Sequence, residues 1–80
     1  MNRAVSLNLS ALDARVLRAT DPLHGRSPEK IGEVAGCAAD VALSALRRLR
    51  RSYLVEDDAR CRPRRWRRTY HGDVVREHQP

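Results

Sequence analysis

The sequence predicts a small, mainly α domain in which three helices are followed by a two-stranded β-hairpin. Apolar residues recur at spacings of three and four through roughly the first fifty positions, and capping hydroxyls, a proline and a glycine punctuate them where helices start and stop. Beyond that point β-prone residues surround an acidic and an arginine-rich stretch. Eighty residues hold one domain at most, which excludes a multidomain enzyme. Hydrophobic residues make up 41% of the chain but aromatics only 4%, so the core is expected to be thin, built from Leu, Val and Ala around Trp66.

Residues 1–9 read as an irregular arm, residues 10–72 as the folded domain and residues 73–80 as a short C-terminal helix or tail. Ser10 caps the first helix, and Asp13 three residues on approximates a capping box. Leu12, Val16, Leu17 and Ala19 form the apolar stripe of this helix, which stops at Thr20-Asp21-Pro22 because proline disfavours helix at the residue before it. Ser27-Pro28-Glu29 starts the second helix with a capping hydroxyl, a proline at the first helical position and a carboxylate suited to the helix dipole. Gly36 ends it with a left-handed turn. A third helix then runs to about Ser52 with Ala42, Ala45, Leu46 and Leu49 inward. Tyr53-Leu54-Val55 and Arg64 to Tyr70 are the expected strands, Glu56-Asp57-Asp58 and Arg62-Pro63 the turn material between them, and Gly72 the close of the hairpin. The expected core is Leu12, Val16, Leu17, Ile31, Val34, Ala42, Leu46, Leu49, Leu54 and Trp66, with Tyr53 and Tyr70 flanking it.

Charge is unevenly placed. Residues 1–45 carry five basic and five acidic groups, whereas residues 46–80 carry eleven and five, so the net +6 lies entirely in the second half. Fifteen of the sixteen basic residues are Arg, and ten of them fall between Arg47 and Arg68. Guanidinium forks hold phosphate oxygens bidentately, so the expected partner is a nucleic acid; the plainer alternative is a solvated basic face.

Three helices, a glycine turn between the second and third, and a basic hairpin, in this order, resemble the winged helix-turn-helix family of bacterial transcription regulators, MarR-like and related. SPEKIGEVAG looks like that family's second helix and turn. ADVALSALRRLRRSYLVEDD looks like its recognition helix running into the wing, and RRWRRTYHGD like the returning strand with a T-x-x-G ending. The resemblance spans almost the whole chain. It implies a transcription regulator that binds double-stranded DNA as a dimer, with the third helix in the major groove and the wing at the minor groove or backbone. Carried onto this sequence, it assigns DNA contact to Ala39, Asp40, Leu43 and Ser44 on the third helix, followed by Arg47 and Arg48, and to Arg60, Arg62, Arg64, Arg65 and Arg67 on the wing.

The pattern has departures. Ala39 and Leu43 can offer only a methyl contact to thymine, Asp40 repels phosphate, Ala38 lacks a capping hydroxyl, and Tyr53 stands where the family often has Gly. They motivate an alternative in which Ala39, Val41 and Leu43 present an apolar face of the third helix to a protein partner. Trp66 is read as the cap of the core rather than a base-stacking ring. Six arginines within Arg60–Arg68 repel one another unless an anion is bound, which favours the DNA reading. Val74 and Val75 at the chain end are the expected self-association surface.

Cys37 reads as a small hydrophobe in the turn and Cys61 as an exposed residue of the wing tip; their 24-residue separation matches no ligand pair, and His24, His71 and His78 have no metal spacing. No cofactor is expected. No nucleophile or acid–base pair stands in a recognisable setting, so an enzyme is not expected either. No run approaches the ~18 apolar residues of a membrane span, and no signal peptide is recognisable, so the expected location is cytoplasmic and nucleoid-associated. Leu46→Ala should cost about 2–5 kcal/mol, comparable with the whole stability of so small a domain. Loss of the cooperative thermal transition is the expected result, and a melting temperature equal to the parent's would refute the helix assignment.

Overall fold

Caps set the helices. In the computed structural model, which describes residues 9–62 and 64–78, Ser10 Oγ accepts the Asp13 amide at 3.1 Å and opens α1 (Ala11–Ala19). Ser27 Oγ accepts the Lys30 amide at 3.2 Å and opens α2 (Pro28–Ala35), with Pro28 in the first turn. Gly36 at φ 79° then reverses the chain, a backbone state that costs other residues a steric clash. α3 (Ala39–Arg51) starts at Ala38 with no side-chain cap, so its stability rests on its buried stripe, Ala42, Ala45, Leu46 and Leu49.

The antiparallel strands are β1 (Val55–Asp58) and β2 (Arg65–Arg68), with Val55 opposite Arg68 and Asp58 opposite Arg65. The acidic triplet expected in the turn therefore lies within β1, and β2 is shorter than the Arg64–Tyr70 run. The loop between α1 and α2 lies along the other edge of β2. Arg26 and Trp66 exchange backbone bonds at 3.0 and 2.8 Å, and the Arg68 amide donates to the Asp21 carbonyl at 3.2 Å. Asp21 Oδ1 meanwhile accepts the Leu23 and His24 amides at 2.7 and 3.0 Å. Those amides, His24 first, hold its carboxyl below the usual carboxylate range.

A fourth helix, α4 (Tyr70–Glu77), begins three residues before Asp73. Gly72 does not close the hairpin; it sits in the first turn of α4, where a Cβ would come within 2.0 Å of the Leu54 carbonyl oxygen. Thr69 makes this junction. Its hydroxyl accepts the Gly72 amide at 2.9 Å and donates to the Tyr53 carbonyl at 2.7 Å.

The core contains Val16, Leu17, Ile31, Ala42, Leu46, Leu49, Leu54 and Trp66, all at 1% exposure or less, joined by Ala19, Ala35, Ala45, Val55 and Val75. Leu12 is half-buried against it. Val34 is a correction: at 53% exposure it lies outside, because α2 turns Ile31, Gly32 and Ala35 inward. Tyr53 and Tyr70 do not flank the core either, being 79% and 85% exposed. Val75 is taken up by the domain's own core, which removes half of the expected self-association surface and ties residues read as a tail to the domain. Residues 1–8 of the expected arm, and Pro63 at the expected wing tip, lie outside the described residues.

One charged side chain joins these pieces. Arg68 is 9% exposed, donates through Nη1 to the carbonyls of Leu17, at 3.0 Å, and Thr20, and through Nε to Asp73 Oδ1 at 2.6 Å. It satisfies the Thr20 carbonyl just past α1, adds a donor to the Leu17 carbonyl that already accepts the Thr20 amide and hydroxyl, and neutralises the first-turn carboxylate of α4. Arg68→Ala should cost about 3 kcal/mol, because it strands the Thr20 carbonyl and a half-buried carboxylate together. The urea midpoint is expected to fall until little folded protein remains at 25 °C, and an unchanged midpoint would show the anchor to be dispensable. Arg68→Lys should recover only part, since an ammonium lacks the planar fork.

Candidate nucleic-acid interface

α3 and the hairpin meet along one side of the molecule. With Ala42, Ala45, Leu46 and Leu49 inward, the helical repeat places Asp40, Ser44, Arg47 and Arg51 on the opposite, outer face, all four exposed. Ala39 and Leu43 lie on the flank nearer the hairpin and are half-buried, with Leu43 packed against the core. Val41 and Arg48 lie on the other flank. Val41 and Leu43 are about 200° apart around the helix, so Ala39, Val41 and Leu43 do not form one apolar face.

Arg48 is occupied within the fold. Its guanidinium makes a two-point contact with Asp13, at 2.8 Å from Nη2 and 3.2 Å from Nε, which raises its pKa above the ordinary arginine value. The Asp13 carboxylate thus tethers α3 to α1, and only the Ser10 half of the expected capping box forms.

The arginines of the hairpin have partners inside the protein. Arg67 pairs with Glu56 at 2.7 Å, Arg64 with Asp57 at 3.1 Å and Arg60 with Asp58 at 3.0 Å, while Arg65 donates to the Gly25 carbonyl at 2.9 Å. The repulsion expected among six close cations is therefore relieved largely inside the protein, because acid and base face each other across the sheet and its connecting loop. Asp57 also receives Arg50 at 3.0 Å, and the Arg50 guanidinium lies 5.4 Å from the Trp66 ring centroid. This chain of contacts fixes the hairpin against α3. Between them a groove of about 330 Å³ is lined by Pro28, Glu29, Leu43, Arg47, Arg64 and Trp66.

Among the described residues no carboxylate pairs with Arg47, Arg51 or Arg62. Of the sequence-assigned positions, Asp40, Ser44 and Arg47 share the exposed outer face, Arg62 stands exposed on the hairpin loop, and Arg60, Arg64, Arg65 and Arg67 reach solvent while holding internal partners. Arg51 was missed. Its position seven residues after Ser44 and four after Arg47 was the signal that could have found it. Cys61 is half-buried rather than exposed, beside a cleft of about 70 Å³ shared with Gly25, Glu56, Asp58, Arg65 and Arg67. Among the described residues no group of three His, Cys, Asp or Glu side chains gathers to hold a metal ion, and no helix is long and apolar enough to cross a membrane.

Comparison with protein-family models, curated proteins and solved structures gives no match to this chain.

The Arg60 side chain and its backbone amide both donate to Asp58, and the Arg60 fork is the largest influence holding the carboxyl at about 2. A carboxyl depressed in the folded state stabilises the fold above its unfolded value near 4, and that contribution fades as pH falls toward 2. Carbon-detected NMR should find Asp58 titrating near pH 2 in the parent. In Arg60→Ala the value should rise only part of the way to the ordinary one, because the backbone amide remains. A normal Asp58 titration in the parent would refute the fork.

Proposed function

We propose that this chain is a winged helix-turn-helix DNA-binding protein, a small regulator of transcription or a related DNA-associated factor. The observation that carries the reading is the distribution of committed and uncommitted cations. Arg48, Arg50 and Arg68 are used within the fold, whereas Arg47 and Arg51 stand one turn apart on the outer face of α3 with no acidic partner among the described residues. The order of elements agrees with it: α1, an extended segment bonded to β2, α2, a glycine turn, α3 and a hairpin.

In this reading the outer face of α3 enters the major groove. Arg47 offers the fork that matches guanine O6 and N7, Ser44 adds a hydroxyl, and Arg51 takes a phosphate. Asp40 at the N-terminal end repels backbone phosphates and restricts how deeply that end approaches. Arg62 on the hairpin loop reaches the minor groove or backbone, with Arg60, Arg64, Arg65 and Arg67 adding positive potential that their carboxylate partners moderate. Ala39 and Leu43, half-buried on the hairpin side, support the groove rather than read bases. An apolar protein-docking face on α3 draws no support, since Val41 and Leu43 point to opposite flanks.

Binding to random duplex, followed by anisotropy across a range of salt, tests the proposal. With about five phosphates engaged, the logarithm of the binding constant should fall against the logarithm of salt with a slope near −4 to −5. Arg51→Ala, which removes a phosphate contact, should make that slope shallower by about 1, whereas Arg48→Ala, which loses an internal tether, should leave it unchanged while lowering the melting temperature. A parent showing no salt-dependent duplex binding would end the reading.

A further inference from the structure

Two of the three aromatic side chains are displayed to solvent rather than packed. Among the described residues Tyr53 and Tyr70 are the most exposed of the large hydrophobic side chains, at 79% and 85%, and neither makes a side-chain hydrogen bond or a cation–π contact. They flank one junction. The β1–β2 register ends with Val55 opposite Arg68, and the pairing continues through the Thr69 amide to the Leu54 carbonyl at 3.1 Å and the Thr69 hydroxyl to the Tyr53 carbonyl. Tyr53 and Tyr70 are the residues on either side of that link, at the C-terminal end of α3.

A second, independent observation concerns the backbone. Tyr53 has φ 61°, and among the described residues it is the one non-glycine with a positive φ. A bulky residue there is strained, and glycine would not be. The bonds that hold the turn, Tyr53 amide to Arg50 carbonyl at 2.9 Å and Thr69 hydroxyl to Tyr53 carbonyl, use only backbone atoms of residue 53 that glycine also has. The exposed side chain contributes neither burial nor hydrogen bonding to the fold. The strain therefore points to a use for the ring outside it.

The surroundings select the occupant. Open aromatic faces take flat rings or cations, but Arg51 lies two residues before Tyr53, exposed and without a carboxylate partner among the described residues, in the half of the chain that carries the whole +6. Cations are repelled there and anions drawn in. A flat ring attached to an anion is a nucleotide. Bases present free faces only where they are unpaired, since a duplex stacks them away.

We propose that Tyr53 and Tyr70 form a stacking platform for the unpaired bases of single-stranded nucleic acid, with Arg51 beside it for a backbone phosphate. The platform does not depend on duplex binding by the outer face of α3. Binding of the full chain to a labelled oligothymidine of about ten nucleotides, to an abasic oligomer of equal charge and to a duplex tests it by anisotropy. The parent should prefer oligothymidine to the abasic oligomer by about tenfold, from roughly one stacked base. Tyr53→Gly, which relieves the strained backbone, should melt no lower than the parent and yet lose that preference. Tyr70→Ala should lose it as well, and both variants should keep the parent's affinity for duplex. No preference in the parent, a preference surviving in both variants, or a Tyr53→Gly protein that melts well below the parent would each overturn the platform. A parent that ignored duplex but preferred oligothymidine would end the duplex reading alone, so the two proposals fail separately.

Discussion

The Arg68 guanidinium is the contact on which the arrangement of the other elements depends. A thin core of Leu, Val and Ala around one indole gathers the three helices and takes in Leu54, Val55 and Trp66 from the hairpin and Val75 from the fourth helix, but apolar contacts set no polar register between these elements. Arg68 sets one from a nearly dry position. It meets the last turn of α1 through the Leu17 and Thr20 carbonyls, the first turn of α4 through Asp73, and its own backbone belongs to β2. Arg26 adds a second donor at the same helix end, reaching the Ala19 carbonyl at 2.7 Å. The carbonyls of Ala19 and Thr20 are thus closed by two cations, one from the loop that follows α1 and one from β2, 48 positions on, where many helices use glycine or solvent.

Electrostatics elsewhere follows the same economy of position. Five of the six arginines at Arg60, Arg62, Arg64, Arg65, Arg67 and Arg68 face an acid or a carbonyl supplied by β1, the connecting loop, the segment before α2 or α4. The formal charge therefore overstates what the hairpin presents to a partner. A positive potential survives, since six cations exceed the three acids Glu56, Asp57 and Asp58, but it is spread over groups already committed to geometry. Among the described residues, exposed arginines with no ion-pair or hydrogen-bond partner lie instead on α3, at Arg47 and Arg51, on the hairpin loop, at Arg62, and on α1, at Arg18.

Helix positions were legible because their signals are local. Ser10, Ser27 and Gly36 act on amides and carbonyls within four residues, and the stripe Ala42–Ala45–Leu46–Leu49 states its own period. What the sequence hid was everything decided by register or by a distant partner. Glu56-Asp57-Asp58 has turn composition, yet it pairs as a strand because arginines across the sheet neutralise it. Val34 has the right period for a core residue and fails because Gly32 lets α2 press its other edge toward the Cys37 carbonyl, where a Cβ would come within 2.6 Å. Arg48 looked like a DNA contact and Arg68 like another member of the basic run; Arg48 is claimed by an acid 35 residues away and Arg68 by carbonyls 51 and 48 residues away, which no window of sequence displays. The candidate interface was legible as a basic α3 with a basic hairpin, and its division into free and committed cations was not.

The sequence distances bridged by Arg68 also bear on how the protein comes to be. Its partners in α1 lie 51 and 48 positions earlier in the chain. At the ~5–20 residues per second of synthesis, α1 waits roughly 3–10 s before the group that closes its end exists. During that interval Val16, Leu17, Ile31 and Leu46 can cover one another, but the Trp66 ring that completes their packing has not been made either. A chain that stops ahead of Trp66 lacks both the largest ring of the core and the donor that meets the Thr20 carbonyl, so the last part of the described domain to be made carries contacts that its first helix uses.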